Sequence, residues 1–206
     1  MNAQDLYLLE DWITTAEEES LISLLDNLPW SGNGQSPNAQ IKRRMQQYGA
    51  LFQMDSRTFC TKSTPAPIPQ FLSVLADRLT EELQLPQGHF NYIVCNEYKV
   101  GQGICAHVDA LVFGPVICML SLISPCVMEF TPVVSDCCSA ESLVKIVLQP
   151  RSCCVLRGEA RYSWKHAISK REVEIGPLGE EIVRGRRISV IFRSICPSET
   201  LLSKGE

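Results

Sequence analysis

Several features are scarce in these 206 residues. No apolar run approaches the ~20 residues that a helix needs to cross a bilayer, so no membrane span is expected. Residues 1–6 carry neither a basic segment nor an apolar one behind it, so no secretory signal is expected. Positive charge is not in excess: 19 Lys and Arg stand against 23 Asp and Glu, a formal net charge of -4. That excludes a globally basic nucleic-acid binder and leaves room only for a local basic patch. Histidine is rare, at His89, His107 and His166. Internal repeats and low-complexity segments are absent.

Cysteine is not scarce, but its pairing pattern is. The ten cysteines stand at 60, 95, 105, 118, 126, 137, 138, 153, 154 and 196, mostly singly inside apolar runs. No Cys-x-x-Cys pair occurs, which speaks against a zinc ribbon. Buried free thiols in a reducing compartment, cytoplasm or nucleus, are the plain expectation. Metal binding by Cys137-Cys138 or Cys153-Cys154 is the alternative. Hydrophobic residues make up 45% of the chain and charged ones 20%, enough for a sizeable core in one structural domain, taken as a monomer.

Residues 5–29 read as an entry segment followed by a helix. Thr14 or Thr15 can cap it, and Leu21, Ile22, Leu24, Leu25 and Leu28 form its apolar stripe. Pro29 to Gly34 breaks the helix. The most basic short run follows, Lys42-Arg43-Arg44 through Tyr48-Gly49. It reads as a solvated strand edge or as a contact for phosphate or another anion. A Pro-rich connection precedes a second amphipathic helix over 70–84. From residue 90 onward the pattern changes to short Val-, Ile-, Cys- and aromatic-rich runs: 90–97, 103–108, 116–123, 126–131, 143–149, 153–157, 162–168, 171–176 and 187–194. Residues 132–142 and 176–186 read as loops. The expectation is a mainly β protein with N-terminal helices (α+β), the β part a sandwich or barrel-like domain. Residues 1–89 would carry helices and a substrate lid, and 90–206 the β core.

His107-Val108-Asp109 carries chemistry if it lies at a strand end. Alternation then places both side chains on one face, where a distant His166 could join them. Two histidines and one carboxylate leave open positions on Fe(II) for a bidentate 2-oxo acid and then O2. The pair Arg187 and Arg193, six residues apart on a strand, also shares a face. An arginine deep in the site would match the remote carboxylate of such an acid. Asn96 and Tyr98 offer neutral hydrogen-bonding groups nearby.

Asn96-Glu97-Tyr98 with its following Gly101 and Gly103, His107-Val108-Asp109, Trp164-Lys165-His166-Ala167-Ile168, and Arg187 with Arg193 together resemble the AlkB-like 2-oxoglutarate- and Fe(II)-dependent dioxygenases. Leu120-Ser121-Leu122, Pro150-Arg151-Ser152 and Arg157 to Tyr162 are also similar. The resemblance implies a double-stranded β-helix (jelly-roll) core. It implies iron binding by His107, Asp109 and His166, and 2-oxoglutarate binding by Asn96, Tyr98, Arg187 and Arg193. Arg43, Arg44, Tyr48, Leu111 and Arg161 become candidate substrate contacts. The implied reaction consumes O2, converts the cosubstrate to succinate, and hydroxylates or oxidatively demethylates a substrate. Modified nucleic acid is the first substrate class, RNA, including tRNA, ahead of DNA. A protein side chain such as methyl-lysine is the second, and a silent jelly-roll binding module is a third reading. One departure matters: Leu111 stands two positions after Asp109, where family members that reverse base methylation often carry an acid.

Overall fold

The computed structural model describes residues 4–32, 43–53, 58–59, 64–133 and 143–195. Lys42, Cys60, Cys137, Cys138, Cys196 and most of the loop read over 132–142 lie outside the described residues. In chain order the elements are β1 (Leu6–Leu9), α1 (Thr15–Asp26), β2 (Ser31–Gly32), β3 (Arg44–Tyr48), β4 (Phe52–Gln53), β5 (Thr58–Phe59), α2 (Gln70–Glu82), β6 (Tyr92–Tyr98), β7 (Ile104–His107), β8 (Ile117–Leu122) and β9 (Cys126–Pro132). They continue with β10 (Val144–Leu148), β11 (Cys153–Leu156), α3 (Gly158–Tyr162), β12 (Trp164–Ile168), β13 (Val173–Ile175), β14 (Glu181–Val183) and β15 (Arg187–Arg193).

Two antiparallel sheets face each other. The major sheet has the order β1-β11-β8-β15-β6-β3-β2, and the minor sheet the order β10-β9-β12-β7. This is the sandwich form of a double-stranded β-helix, not a closed barrel. The major sheet draws strands from both sides of residue 90, since β1, β2 and β3 come from the N-terminal part.

Strand alternation divides the major sheet into two faces. Ile93, Cys95, Leu120, Ile188 and Val190 point to the helices, where Leu21, Leu25, Leu72, Leu75 and Leu79 meet them. Thr14 starts α1 with a reciprocal cap. Its hydroxyl accepts the Glu17 N–H (3.2 Å), and the Glu17 carboxylate accepts the Thr14 N–H (2.7 Å). On the other face Ile117, Met119 and Cys154 pack against Met128, Phe130 and Ile168 of the minor sheet. Cys153 and Cys154 thus lie in different cores and cannot share a metal. The six described cysteines are free. Cys105 departs from the buried expectation and is exposed on β7, an edge strand.

Three elements differ from the sequence reading. The run over 162–168 splits into the short helix α3 and strand β12. The loop read over 176–186 contains β14, which pairs with β13. Glu174 anchors that hairpin: its carboxylate accepts the Val127 N–H (2.7 Å) and meets Arg184 at 3.1 Å. The basic run is no sheet edge, because β3 lies between β6 and β2.

That interior placement gives Arg44 a structural task. Arg44 pairs with Glu97 across the strands and donates to its carboxylate at 2.6 and 2.7 Å. Arg186 donates to the same carboxylate (2.8 Å) and also grips Asp26 of α1. Glu97 is only 3% exposed. The Arg44 hydrogen bonds outweigh burial and hold its pKa below the ordinary 4.5. A depressed carboxylate stabilises the fold above its unfolded pKa, and that contribution fades as pH falls through the folded value. Glu97→Gln should therefore lower stability at pH 7 by on the order of 2 kcal/mol. In denaturant melts the gap between variant and parent should begin to narrow as pH falls below the ordinary carboxylate value and close once it passes the depressed folded pKa. A gap independent of pH would remove the ion network from the account.

Candidate active site

Between the sheets lies a cavity of about 270 Å³. Its lining includes His107, Asp109, His166, Asn96, Tyr98, Arg187, Arg193 and Arg43. Elements distant in sequence bring these side chains together. β12 pairs with β7 so that His166 stands opposite His107, and β15 pairs with β6 so that Arg187 stands opposite Tyr98.

The His-x-Asp spacing works differently from simple strand alternation. His107 is the last residue of β7, while Asp109 lies in the loop beyond it. The two imidazole rings are 4.4 Å apart between centroids. His107 Nδ1 lies 2.8 Å from the Cys105 carbonyl. A carbonyl only accepts, so Nδ1 carries the proton and Nε2 keeps its lone pair. Burial pushes the His166 pKa down to about 4, with the Asp109 charge opposing, so this ring is neutral at physiological pH. Burial pushes the Asp109 pKa up, but the neighbouring cationic groups, Arg193 first among them, hold it below its ordinary value. The carboxylate is ionised.

Asp109 Oδ1 accepts a 2.5 Å hydrogen bond from Arg193 Nη2. Its Oδ2 is buried without a partner, 4.0 Å from His166 Nε2. An unpaired buried anionic oxygen beside a pair of imidazole side chains suits a cation. Among the described residues no three His, Cys, Asp or Glu donors stand at closed metal-cage spacing. The donor set of two imidazoles and one carboxylate fits Fe(II).

The other end of the cavity suits an anion. Arg187 is 1% exposed. It donates Nη2–H to Ser121 Oγ (2.8 Å), and its Cζ lies 5.5 Å from the Tyr98 ring centroid. Its Nε and Nη1 are buried without partners. Unpartnered donors on a buried, permanently charged guanidinium suit a carboxylate.

The five candidate substrate residues separate. Arg43 lines the cavity, and its Nε donates to Asn96 Oδ1 (3.0 Å). Leu111 is 80% exposed on the loop after Asp109. Arg44 and Tyr48 point the opposite way, because β3 alternates: Arg44 meets Glu97, and the Tyr48 hydroxyl donates to Gln46 Oε1 (3.1 Å) on the helix side. Arg161 is buried and reaches no cavity surface. It donates to the carbonyls of Asp109 (3.0 Å), Ala110 (2.8 Å), Phe113 (3.1 Å) and Gly114 (3.3 Å). It clamps the loop that carries Asp109. Spacing alone could not reveal this, since four of its acceptors are main-chain atoms some fifty positions away. Arg161→Met should strip the Asp109, Phe113 and Gly114 carbonyls of this donor, while Ala110 keeps the Phe113 N–H; it should lower stability by about 3 kcal/mol and weaken Fe(II) binding on the order of 10- to 100-fold. Urea melts and anaerobic iron titration measure the two effects. Full iron affinity in a folded variant would show the loop holds itself.

Sequence reasoning missed Phe52 and Phe113. Both line the cavity, with ring centroids 5.0 Å apart, and Tyr92 stacks on Phe113 at 5.4 Å. An aromatic in a turn-rich segment carries no periodic signal to single it out.

Comparison with known proteins follows this geometry. The model of the 2OG-Fe(II) oxygenase superfamily matches residues 5–193. The "Alkylated DNA repair protein ALKBH8 homolog" of Arabidopsis thaliana is 30% identical over 214 residues, covering 95% of this chain and 59% of that protein. The mouse "tRNA (carboxymethyluridine(34)-5-O)-methyltransferase ALKBH8" is 29% identical over 208 residues, covering 92% of this chain and 30% of that protein. The chain thus spans under two thirds of either relative. The solved structure of OsALKBH1 superposes with a TM-score of 0.67 at 15% identity, covering 92% of this chain and 98% of that one, a likeness of fold.

Proposed function

Because the chain belongs to the 2OG-Fe(II) oxygenase superfamily, we propose that it is an AlkB-like dioxygenase oxidising a modified nucleic acid, RNA ahead of DNA, with tRNA first among RNAs. The observation that carries the reading is the two-ended cavity. One end offers His107, His166 and the unpaired Oδ2 of Asp109. The other offers the two open donors of Arg187. His107, Asp109 and His166 would hold Fe(II), and Arg187, Arg193, Asn96 and Tyr98 would receive 2-oxoglutarate. When bound, these cofactors supply the oxidising power of the reaction, consuming O2 and releasing succinate and CO2.

The protein's own residues bind and orient. The Cys105 carbonyl fixes the His107 tautomer. Arg193 restrains one oxygen of Asp109 and leaves the other for metal. Arg187 would fix the remote carboxylate, and buried Met119, Met128 and Ile191 help keep the cavity dry. Phe52 and Phe113 line the cavity with apolar surface suited to a planar base. The relatives' names, one for alkylated-DNA repair and one for a tRNA uridine methyltransferase, support nucleic acid as the substrate class.

The test is mass spectrometry of nucleosides from tRNA and DNA incubated with protein, Fe(II) and 2-oxoglutarate, alongside succinate release. Substrate-stimulated succinate with a new oxidised nucleoside supports the reading. Silence on every modified RNA and DNA overturns it. A second reading keeps the chemistry and changes the substrate to a protein side chain such as methyl-lysine. The net charge of -4 and the exposed Leu111 favour it. Turnover on methyl-lysine peptides with silence on oligonucleotides would select it.

A further inference from the structure

The cavity holds more positive charge than its proposed cofactors use. Among the described residues four cationic side chains line it: Arg43, Lys170, Arg187 and Arg193. One carboxylate among them, Asp109, lines it in return. Fe(II) and the 2-oxoglutarate dianion cancel each other formally, so loading the site leaves three cations in excess.

Two of the four have tasks in the account above. Arg193 is bonded to Asp109, and Arg187 presents its open donors to the cosubstrate. Lys170 has none, and Arg43 has only its hydrogen bond to Asn96. Arg43 uses Nε on Asn96, and its Cζ lies 5.8 Å from the Tyr98 ring centroid. Arg187 lies against the same ring at 5.5 Å. Two guanidinium groups therefore share one aromatic side chain, although like charges repel in a partly desolvated site. Arg43 is only half-exposed. Lys170 is exposed in the turn after β12 and lines the same cavity. Covering such cations with an uncharged substrate would desolvate them without compensation.

We infer that Arg43 and Lys170 form a second anion site in the cavity, which receives an oxyanion carried by the substrate itself, a phosphate monoester or a carboxylate. The inference rests on the dioxygenase reading and narrows its substrate to one bearing negative charge close to the group that enters the cavity. It also separates Arg43 from its neighbour Arg44, whose charge is spent on Glu97.

The test uses the full chain loaded anaerobically with Mn(II) and saturating 2-oxoglutarate. Calorimetric titrations compare methyl phosphate, acetate, uridine and uridine 5′-monophosphate. One of the two small anions should bind in a 1:1 ratio, and which one identifies phosphate or carboxylate as the source. Arg43→Gln and Lys170→Gln should each weaken that binding about tenfold, and in Lys170→Gln, which removes no contact to a proposed cosubstrate residue, 2-oxoglutarate affinity should change less than twofold. If neither anion binds, or the variants bind as the parent does, the anion site is wrong. If Lys170→Gln instead loses 2-oxoglutarate affinity, Lys170 belongs to the cosubstrate and the inference is overturned. Should the small anions bind and uridine 5′-monophosphate bind no better than methyl phosphate, the anion site stands and the nucleic-acid reading loses support.

Discussion

Asp109→Asn is expected to lose tight Fe(II) binding while the fold survives. Asp109 is the only acidic side chain lining the cavity among the described residues, and neighbouring cationic groups, Arg193 first among them, hold its ionised form against the opposing pull of burial. Asn keeps an oxygen for Arg193 but removes the charge that a divalent ion needs. Iron affinity should fall by at least about 100-fold, the upper end of what even an outer partner contributes. Asp109→Ala should lose the metal as well and additionally leave Arg193 buried without an anion, a loss of about 3–5 kcal/mol. Comparing the two by anaerobic iron titration and urea melts separates ligand loss from damage to the fold. Unchanged iron affinity in Asp109→Asn would refute the ligand assignment.

Arg187→Gln should raise the 2-oxoglutarate requirement on the order of 100-fold, the equivalent of losing about 3 kcal/mol from a charge-assisted pair. Iron affinity should stay within about threefold, because Arg187 faces the opposite end of the cavity from Asp109. Lysine should rescue only part of the loss, since it keeps the charge but not the planar guanidinium. The check is the KM for 2-oxoglutarate measured by succinate release, with iron binding followed in parallel. Equal loss of both would signal a disturbed fold instead.

How far this could be read from sequence depends on the side chain's route to its partner. The two helices were legible because their apolar residues recur with helical spacing, and Thr14 with Glu17 spells out a cap. The long strands were legible because β6, β8 and β15 are buried along their whole length and read as apolar runs. The short elements were not. β1 is four residues without clear alternation, α3 is a five-residue helix, and β14 presents Val183 to solvent. At the site, His107 and Asp109 could be named from proximity, and the six-residue spacing of Arg187 and Arg193 put them on one face. The basic run was harder. Arg43 reaches the cavity, whereas Arg44 starts β3 with its side chain on the helix face, and only the pairing register tells them apart. Arg161 was legible only as a candidate substrate contact and not in its structural task, because its acceptors are backbone carbonyls and leave no trace in residue identity.

The first strand does more than begin the sheet. β11 is the run Cys153-Cys154-Val155-Leu156, buried throughout, and β1 pairs with its outer side while β8 occupies the inner one. Take β1 away and that apolar run becomes an open ladder of unmet N–H and C=O groups, the kind of template on which other chains stack. Four residues at the far end of the chain from Arg187 thus govern colloidal behaviour, and a shortened chain could keep every residue of the site and still leave solution as aggregate.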